Sequence, residues 1–422
     1  MSIGRREFMQ GALGLSALAA LHGCAATGKG RGHVVVVGGG FGGATAAKYI
    51  ALWGGGIRVT LVERNAAFVS CPISNLVLAG EKQLSDITMG YEGLAKYGVT
   101  VVQDEVTAVD ADKRVVRLAR GGDLAWDRLV LSPGVDFIYD DLPGLQPAAA
   151  RQAILHAWKA GPQTVALRRQ LEAMPDGGVF ALTIPKAPYR CPPGPYERAS
   201  TVAWYLKRFK PRSRVLVLDA NEDIVSKKGL FMKAWADHYK GIIEYRPQSE
   251  LRDVDVTGRT AVLEFDKVKA DVLNVVPPHR AGDIAVNAGL KLVNQRWVDI
   301  DWLTMEATGT PGIHVIGDAI FPAPTMPKSG HMANQHAKLA AAAIVNLLSG
   351  LPPSDAPLVM NTCYSFIDNT SAVHVSSVHA WDPATRLVQP VKGAGGLSAA
   401  PTEAEGRYAL AWARNIWADM LT

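Results

Sequence analysis

An α/β fold, with two dinucleotide-binding-type units and a smaller C-terminal one, is what three stretches of this 422-residue sequence predict. His33 to Val37 is a nearly continuous apolar run, as in a strand buried on both faces of a parallel sheet. Gly38-Gly39-Gly40-Phe41-Gly42-Gly43 follows and opens a helical stretch from Ala44 to Leu52. Ile57 to Val62 is the next strand and runs into Glu63. The three together form a βαβ unit with a Gly-rich first turn.

Each residue type in that turn has a physical reason. Gly38 permits the tight turn, Gly40 the close approach of backbone to a pyrophosphate, and Gly43 the packing of helix on strand. Glu63 lies 20 positions beyond Gly43, where a carboxylate can bond ribose hydroxyls. The glycine pattern alone is weak; with strand, helix and acid all in place it is specific.

The later elements follow in order. Trp126 to Gly134 reads as a strand returning to the first unit. A second βαβ-like stretch runs from Gly177 to Asp219, with strands at Val179 to Ile184 and Arg214 to Asp219 and a helix over Ala199 to Phe209. Val272 to Pro278 leaves that unit. Gly312 to Asp318 is a further strand, ending in the pair Gly317-Asp318. A helix of about 20 residues starts near Lys328, its alanines facing the core. Pro352, Pro353 and Pro357 mark a linker to a C-terminal module. The expected organisation is therefore 1–26 targeting segment, 33–150 first part of the dinucleotide-binding domain, 151–275 second Rossmann-like domain, 276–350 second part of the first domain, and 356–422 interface domain.

Composition narrows the classes. At 48% hydrophobic and 20% charged residues the chain is an ordinary globular protein. Its net charge of +5 is small for the length, and the one basic block, Lys207-Arg208-Phe209-Lys210, reads as a solvated helix end. Nucleic acid is not an expected partner. No His/Cys grouping has metal-ligand spacing, and no Cys-x-x-Cys-His attaches a haem.

The N-terminus reads as a twin-arginine export signal: Arg5-Arg6, then an uncharged run from Gly11 to Leu21 too short to span a bilayer. The expected location is the periplasm. Leu21-His22-Gly23-Cys24 resembles a lipoprotein box, with cleavage near Ala25 or Ala26 as the alternative; membrane attachment is expected only if Cys24 is lipidated. Without Cys24, Cys71, Cys191 and Cys363 remain. An odd count in an exported protein suggests one disulfide and one thiol with another use, although Cys71 can instead be a small buried hydrophobe.

The most specific stretch is Tyr189-Arg190-Cys191-Pro192-Pro193-Gly194-Pro195-Tyr196-Glu197-Arg198. It follows the first strand of the second unit, where an enzyme fed by NADH carries a phosphate-cradling Gly-rich turn. Proline has no N–H to offer a phosphate and its φ is fixed. The turn therefore holds a thiol in place of a nicotinamide dinucleotide.

These segments resemble the flavoprotein subunit of flavocytochrome c sulfide dehydrogenase, within the pyridine nucleotide-disulfide reductase superfold. The resemblance rests on Val34 to Tyr49, Ser70 to Asn75, His156 to Gly161, Arg190 to Ser200, Pro277 to Gly282, Ile316 to Asp318, Met326 to Gly330 and Asn361 to Ser365. It implies FAD, attached covalently through Cys71, and a redox-active disulfide between Cys191 and Cys363. It further implies that hydrosulfide attacks this disulfide and is oxidised to sulfur or polysulfide, with electrons passing through FAD to a separate c-type cytochrome subunit in a heterodimer. On that basis Glu197 is expected to relay protons, Gly317 and Asp318 to meet the ribityl or pyrophosphate region, and Lys328 to favour negative charge at the reduced flavin. A sulfide:quinone reductase and a non-enzymatic flavin-binding redox sensor or assembly factor are the alternatives. The first of these would turn the aromatic helix around Tyr408 to Trp417 toward a membrane.

Overall fold

The computed structural model describes residues 30–422. The expected export signal and the Cys24 lipidation site lie outside the described residues. The first unit begins β1 (His33–Val37), α1 (Phe41–Trp53), β2 (Arg58–Val62), β3 (Val99–Val102) and β4 (Arg128–Leu131). The valines of β1 are fully buried because α1 covers one face of the sheet and further structure covers the other.

The second unit repeats the plan: β5 (Val179–Ile184), α2 (Gly194–Phe209), β6 (Arg214–Asp219), α3 (Lys228–His238), β7 (Ile243–Arg246) and β8 (Val272–Val275). Its strands are parallel in the order β7-β6-β5-β8. The first sheet has the same order, β3-β2-β1-β4, and is extended beyond β4 by β9 (Ile313–Val315), which arrives only after the second unit is finished. Each unit also inserts a three-stranded antiparallel sheet before its returning strand, starting at Val106 in the first and at Leu251 in the second. Helix α2 starts five residues earlier than the sequence suggests, at Gly194, with Pro195 in its first turn. Proline is tolerated there because the N–H it lacks has no intrahelical partner.

Helix α4 (Gly330–Leu348) packs along α1 and is capped by Ser329, whose hydroxyl accepts the Met332 N–H. The C-terminal module is an antiparallel sheet of β10 (Leu358–Phe366), β11 (Ala372–Asp382) and β12 (Leu387–Leu397), closed by α5 (Glu403–Leu421). Asp419 fastens α5 to the first unit. Its carboxylate accepts from Tyr49 Oη at 2.5 Å, Asn334 Nδ2 at 2.7 Å and Lys338 Nζ at 2.9 Å. Those bonds hold its carboxyl below the usual range, against the burial that would raise it. Among the described residues no helix is long and apolar enough to cross a membrane.

Candidate flavin and cysteine site

A cavity of about 950 Å³ lies where the three modules meet. Its volume is at the upper end of the roughly 300–1,000 Å³ usual for small-molecule and cofactor sites. Gly38, Gly40 and Glu63 line one end; Cys71, Cys191, Glu197 and Cys363 line the other, with Asp318 and Trp412 also on its wall.

The glycine turn behaves as its spacing suggests. A Cβ on Gly38 would stand 2.4 Å from Ser132 O, and one on Gly43 only 1.7 Å from Gly38 O. A Cβ on Gly40 would meet nothing within 4 Å, so that side of the residue faces the cavity. The first turn of α1 thus presents its unpaired N–H groups to that space. Glu63 braces the turn: one carboxylate oxygen accepts Gly39 N–H at 2.6 Å and the other accepts from Asn65.

Cys71 precedes a short helix, Ser74–Leu78. Its Sγ receives Arg190 Nη1 at 3.2 Å and Ala160 N–H at 3.4 Å. The other arm of the Arg190 guanidinium donates to Trp158 O, and Trp158 Nε1 donates back to Arg190 O at 3.1 Å.

Cys191 occupies a left-handed backbone conformation, φ 59°, which a non-glycine residue adopts only where its surroundings enforce it. Here its N–H is tied to Lys328 O at 2.8 Å and its C=O accepts Gly194 N–H at 2.9 Å. Gly194 has to be small: a Cβ there would lie 2.8 Å from Cys191 Sγ and 3.0 Å from the Trp158 ring. Cys363 comes from the opposite side, on β10, with the Asn361 amide 3.3 Å from its sulfur. Burial pushes both thiols up, and each responds to Glu197 in the same direction; Cys191 is raised further by Cys363. All three described cysteines are thiols, so the bridge that the resemblance implies between Cys191 and Cys363 is not formed in this structure.

Glu197 sits in the first turn of α2, buried, with Phe366 N–H on one carboxylate oxygen (3.0 Å) and Asn75 Nδ2 on the other (3.1 Å). Burial pushes its carboxyl up, and those two donors with Lys227 and Arg198 oppose the shift. Asp318 follows β9 in a short 3₁₀ turn; its Oδ1 is buried and unpartnered.

Lys328 departs from expectation. Its ammonium does not line the main cavity; it donates to Asp318 O at 3.0 Å and to Ile320 O, and stacks over Trp297 at 3.6 Å. Burial lowers it to about 7, while Asp318 opposes this. The aromatic face and the two carbonyls outcompete the cavity for the side chain, and only its backbone carbonyl serves the site.

Three cations near the site were not anticipated from the sequence. Arg190 reaches Cys71 as described. Arg198, 3% exposed, donates to Asn75 Oδ1, His156 O, Asn274 Oδ1 and Ala157 O, joining the loops around the cavity. Burial lowers it to about 10, so it remains a cation at neutral pH. Lys227, 5% exposed, crosses from the second unit to the backbone of β10.

The residues fit FAD, the group that this fold implies. The open cradle at Gly40, the N-terminus of α1 and the orphan Asp318 oxygen are the donors and acceptors a dinucleotide needs at one end. The Cys71 sulfur lies on the same cavity wall.

Comparison with known proteins agrees with this geometry. Residues 32–166 match the pyridine nucleotide-disulphide oxidoreductase model. Residues 164–277 match the central domain of the sulfide dehydrogenase (flavocytochrome c) flavoprotein chain, and 355–421 match the flavocytochrome c sulphide dehydrogenase flavin-binding domain. The chain is 62% identical over 45 residues to the sulfide dehydrogenase (flavocytochrome c) flavoprotein chain of Chlorobaculum thiosulfatiphilum, covering 94% of that sequence and 11% of this one. It is 24% identical over 324 residues to the mitochondrial sulfide:quinone oxidoreductase of Mus musculus, covering 70% of this chain and 67% of that one. The fold superposes on the sulfide:quinone oxidoreductase of Aquifex aeolicus with a TM-score of 0.74 at 17% identity, over 92% of this chain and 91% of that one. The two domain matches specific to one family, with the cysteine-bearing wall they enclose, decide the assignment: this chain belongs to the family of flavocytochrome c sulfide dehydrogenase flavoprotein chains.

Proposed function

We propose that this protein is a periplasmic sulfide dehydrogenase flavoprotein that oxidises hydrosulfide to polysulfide sulfur and passes the electrons to a c-type cytochrome subunit. The observation that carries the reading is the convergence of Cys191, Cys363 and Glu197 on one wall of a cavity that fits FAD. In the oxidised state the two cysteines form a disulfide. Hydrosulfide attacks one sulfur; the S–S bond breaks, leaving a persulfide on one cysteine and a thiolate on the other. A second hydrosulfide takes the outer sulfur as a disulfide anion and leaves two thiols. Their return to the disulfide gives up two electrons and two protons. FAD held in this cavity would supply the two-electron acceptor. Glu197, raised by burial and lying between the Cys191 loop and the strand that carries Cys363, relays protons from the thiols as the bridge closes. The chain has no haem motif of its own, so the electrons leave to a partner.

Purified protein should show a flavin spectrum that sulfide bleaches under anaerobic conditions and that ferricytochrome c restores. NADH should reduce it poorly, because Pro192, Pro193 and Pro195 stand where phosphate-binding N–H groups are needed. Restoration by a quinone analogue and not by cytochrome c would select the quinone reductase reading. No response to sulfide at all would select a redox sensor.

Cys71 is proposed to hold the flavin covalently, with Arg190 and the Ala160 N–H on its sulfur. Acid precipitation should leave yellow colour in the pellet, and Cys71→Ala should move it to the supernatant. Wild-type colour found wholly in the supernatant would refute the bond and leave FAD binding intact.

A further inference from the structure

Lys227 has no place in the scheme above, yet it is buried at the back of the cysteine wall. Its backbone is left-handed, φ 57°, at the residue preceding α3. That strained conformation is the kind retained where the surroundings require it. Its ammonium leaves the second unit and ends on the C-terminal sheet. Nζ donates to Cys363 O at 2.8 Å, to Ser365 Oγ at 2.8 Å and to Val373 O at 3.4 Å. These three acceptors use all three N–H groups of an ammonium, on two adjacent strands.

We propose that Lys227 is a positioning residue for the cysteine pair: it pins the strand bearing Cys363 against the second unit and supplies the positive charge against which a sulfur anion forms at Cys363. The proposal deepens the sulfide reading and rests on it. The chemistry requires such a charge. Opening the disulfide creates a thiolate, and desolvation disfavours that anion at both sulfurs. Around Cys363 stand Lys227 from the start of α3, Cys191 and Glu197 from the loop and first turn of α2, Ser329 from the cap of α4 and Asn361 from its own strand; Glu405 of α5 also acts on Lys227. Of these only Lys227 is a cation, and after burial it has the largest effect on the Cys363 thiol. Arg190 is the corresponding cation for Cys191. Lys227 also acts on Cys191, behind Arg190, whereas at Cys363 it is the foremost charge.

The sign of the pH dependence follows. Burial lowers Lys227 to about 8, with Cys363 and Glu197 opposing the shift. It is a cation below that value and loses its charge above it, so its support for the anion fades as pH rises through about 8.

The test is the alkylation rate of each cysteine in the reduced holoprotein by iodoacetamide, followed peptide by peptide from pH 6 to 10. In Lys227→Met, Cys363 should alkylate on the order of tenfold more slowly at pH 7, the effect of one pKa unit. Cys191, on which Arg190 acts ahead of Lys227, should slow by less than Cys363. Lys227→Arg keeps the cation and cannot lose its proton in this range, so Cys363 in that variant should match wild type below pH 8 and exceed it above. An unchanged Cys363 profile in folded Lys227→Met would overturn the proposal. If Lys227→Met does not fold, a Lys227→Arg profile that follows wild type at every pH would overturn it equally. Sulfide bleaching on the same samples separates the two levels. A shifted Cys363 profile in a protein whose wild type ignores sulfide would retain the role of Lys227 at the thiol and remove the sulfide reading.

Discussion

Serine in place of either Cys191 or Cys363 should abolish flavin bleaching by sulfide while FAD stays bound. The expected loss is on the order of 10³-fold or more, the scale found when one member of a group that acts as a unit is removed. A hydroxyl cannot exchange with hydrosulfide, and neither remaining thiol can open a bridge that no longer exists. The competing account, a disulfide that only stiffens the fold, makes a different prediction. Its loss would cost about 2–5 kcal/mol of stability and leave activity per folded molecule largely intact. Denaturant unfolding and sulfide-dependent bleaching on the same samples separate the two. Near-normal bleaching in folded Cys191→Ser or Cys363→Ser would eliminate the mechanism. The substitutions are small, exchanging one sulfur for one oxygen.

The second large effect is expected at Arg198, and it is one of stability. Four acceptors, on Asn75, His156, Asn274 and Ala157, depend on its guanidinium. Arg198→Met removes the donors but leaves the acceptors buried, at roughly 1–3 kcal/mol for each that finds no other partner. A loss of about 3–5 kcal/mol should appear as a lower denaturant midpoint. Lysine should not rescue it, since one ammonium cannot reproduce the planar fork that serves four sites. Ala157 is itself held at φ 46°, a conformation with little reason to persist once its carbonyl loses its donor. Flavin retention should therefore fall together with stability. A midpoint within 1 kcal/mol of wild type would show that water replaces the arginine without cost.

The first unit was legible because its signals are local. The apolar run of β1, the glycine turn and Glu63 each constrain the backbone within a few residues, and they form the β1–α1–β2 unit expected. Helix α4 and the aromatic helix α5 also appear where their composition suggested. The three long strands of the C-terminal sheet were not read. Pro390, Gly393, Gly395 and Gly396 break the alternation that marks β12, and its exposed edge tolerates them. The cations were illegible for another reason. Lys227 is followed by Lys228 and Gly229, a context that reads as solvated loop. Its burial is created by β10 and β11, more than 130 positions away in sequence. Arg198 sits in a helical first turn next to Glu197 and reads as half of a surface pair until both are enclosed by neighbouring modules. Lys328 shows the converse: its position near the site was readable, but the direction of its side chain was decided by Trp297, a partner 31 residues earlier.

The interleaving of the two parallel sheets has a consequence for synthesis. The second unit is one continuous piece of chain, from β5 to β8, and can complete its sheet as soon as Val275 has emerged from the ribosome. The first unit begins earlier but finishes later. Its outermost strand is Ile313–Val315, and the helix that covers α1 ends only at Leu348. The older half of the nascent chain must therefore wait, with the edge of β4 bare, while the younger half folds. The cavity wall that bears Cys363 comes later still. The cavity draws its lining from Val37 to Trp412, so the site is complete only once nearly the whole chain exists.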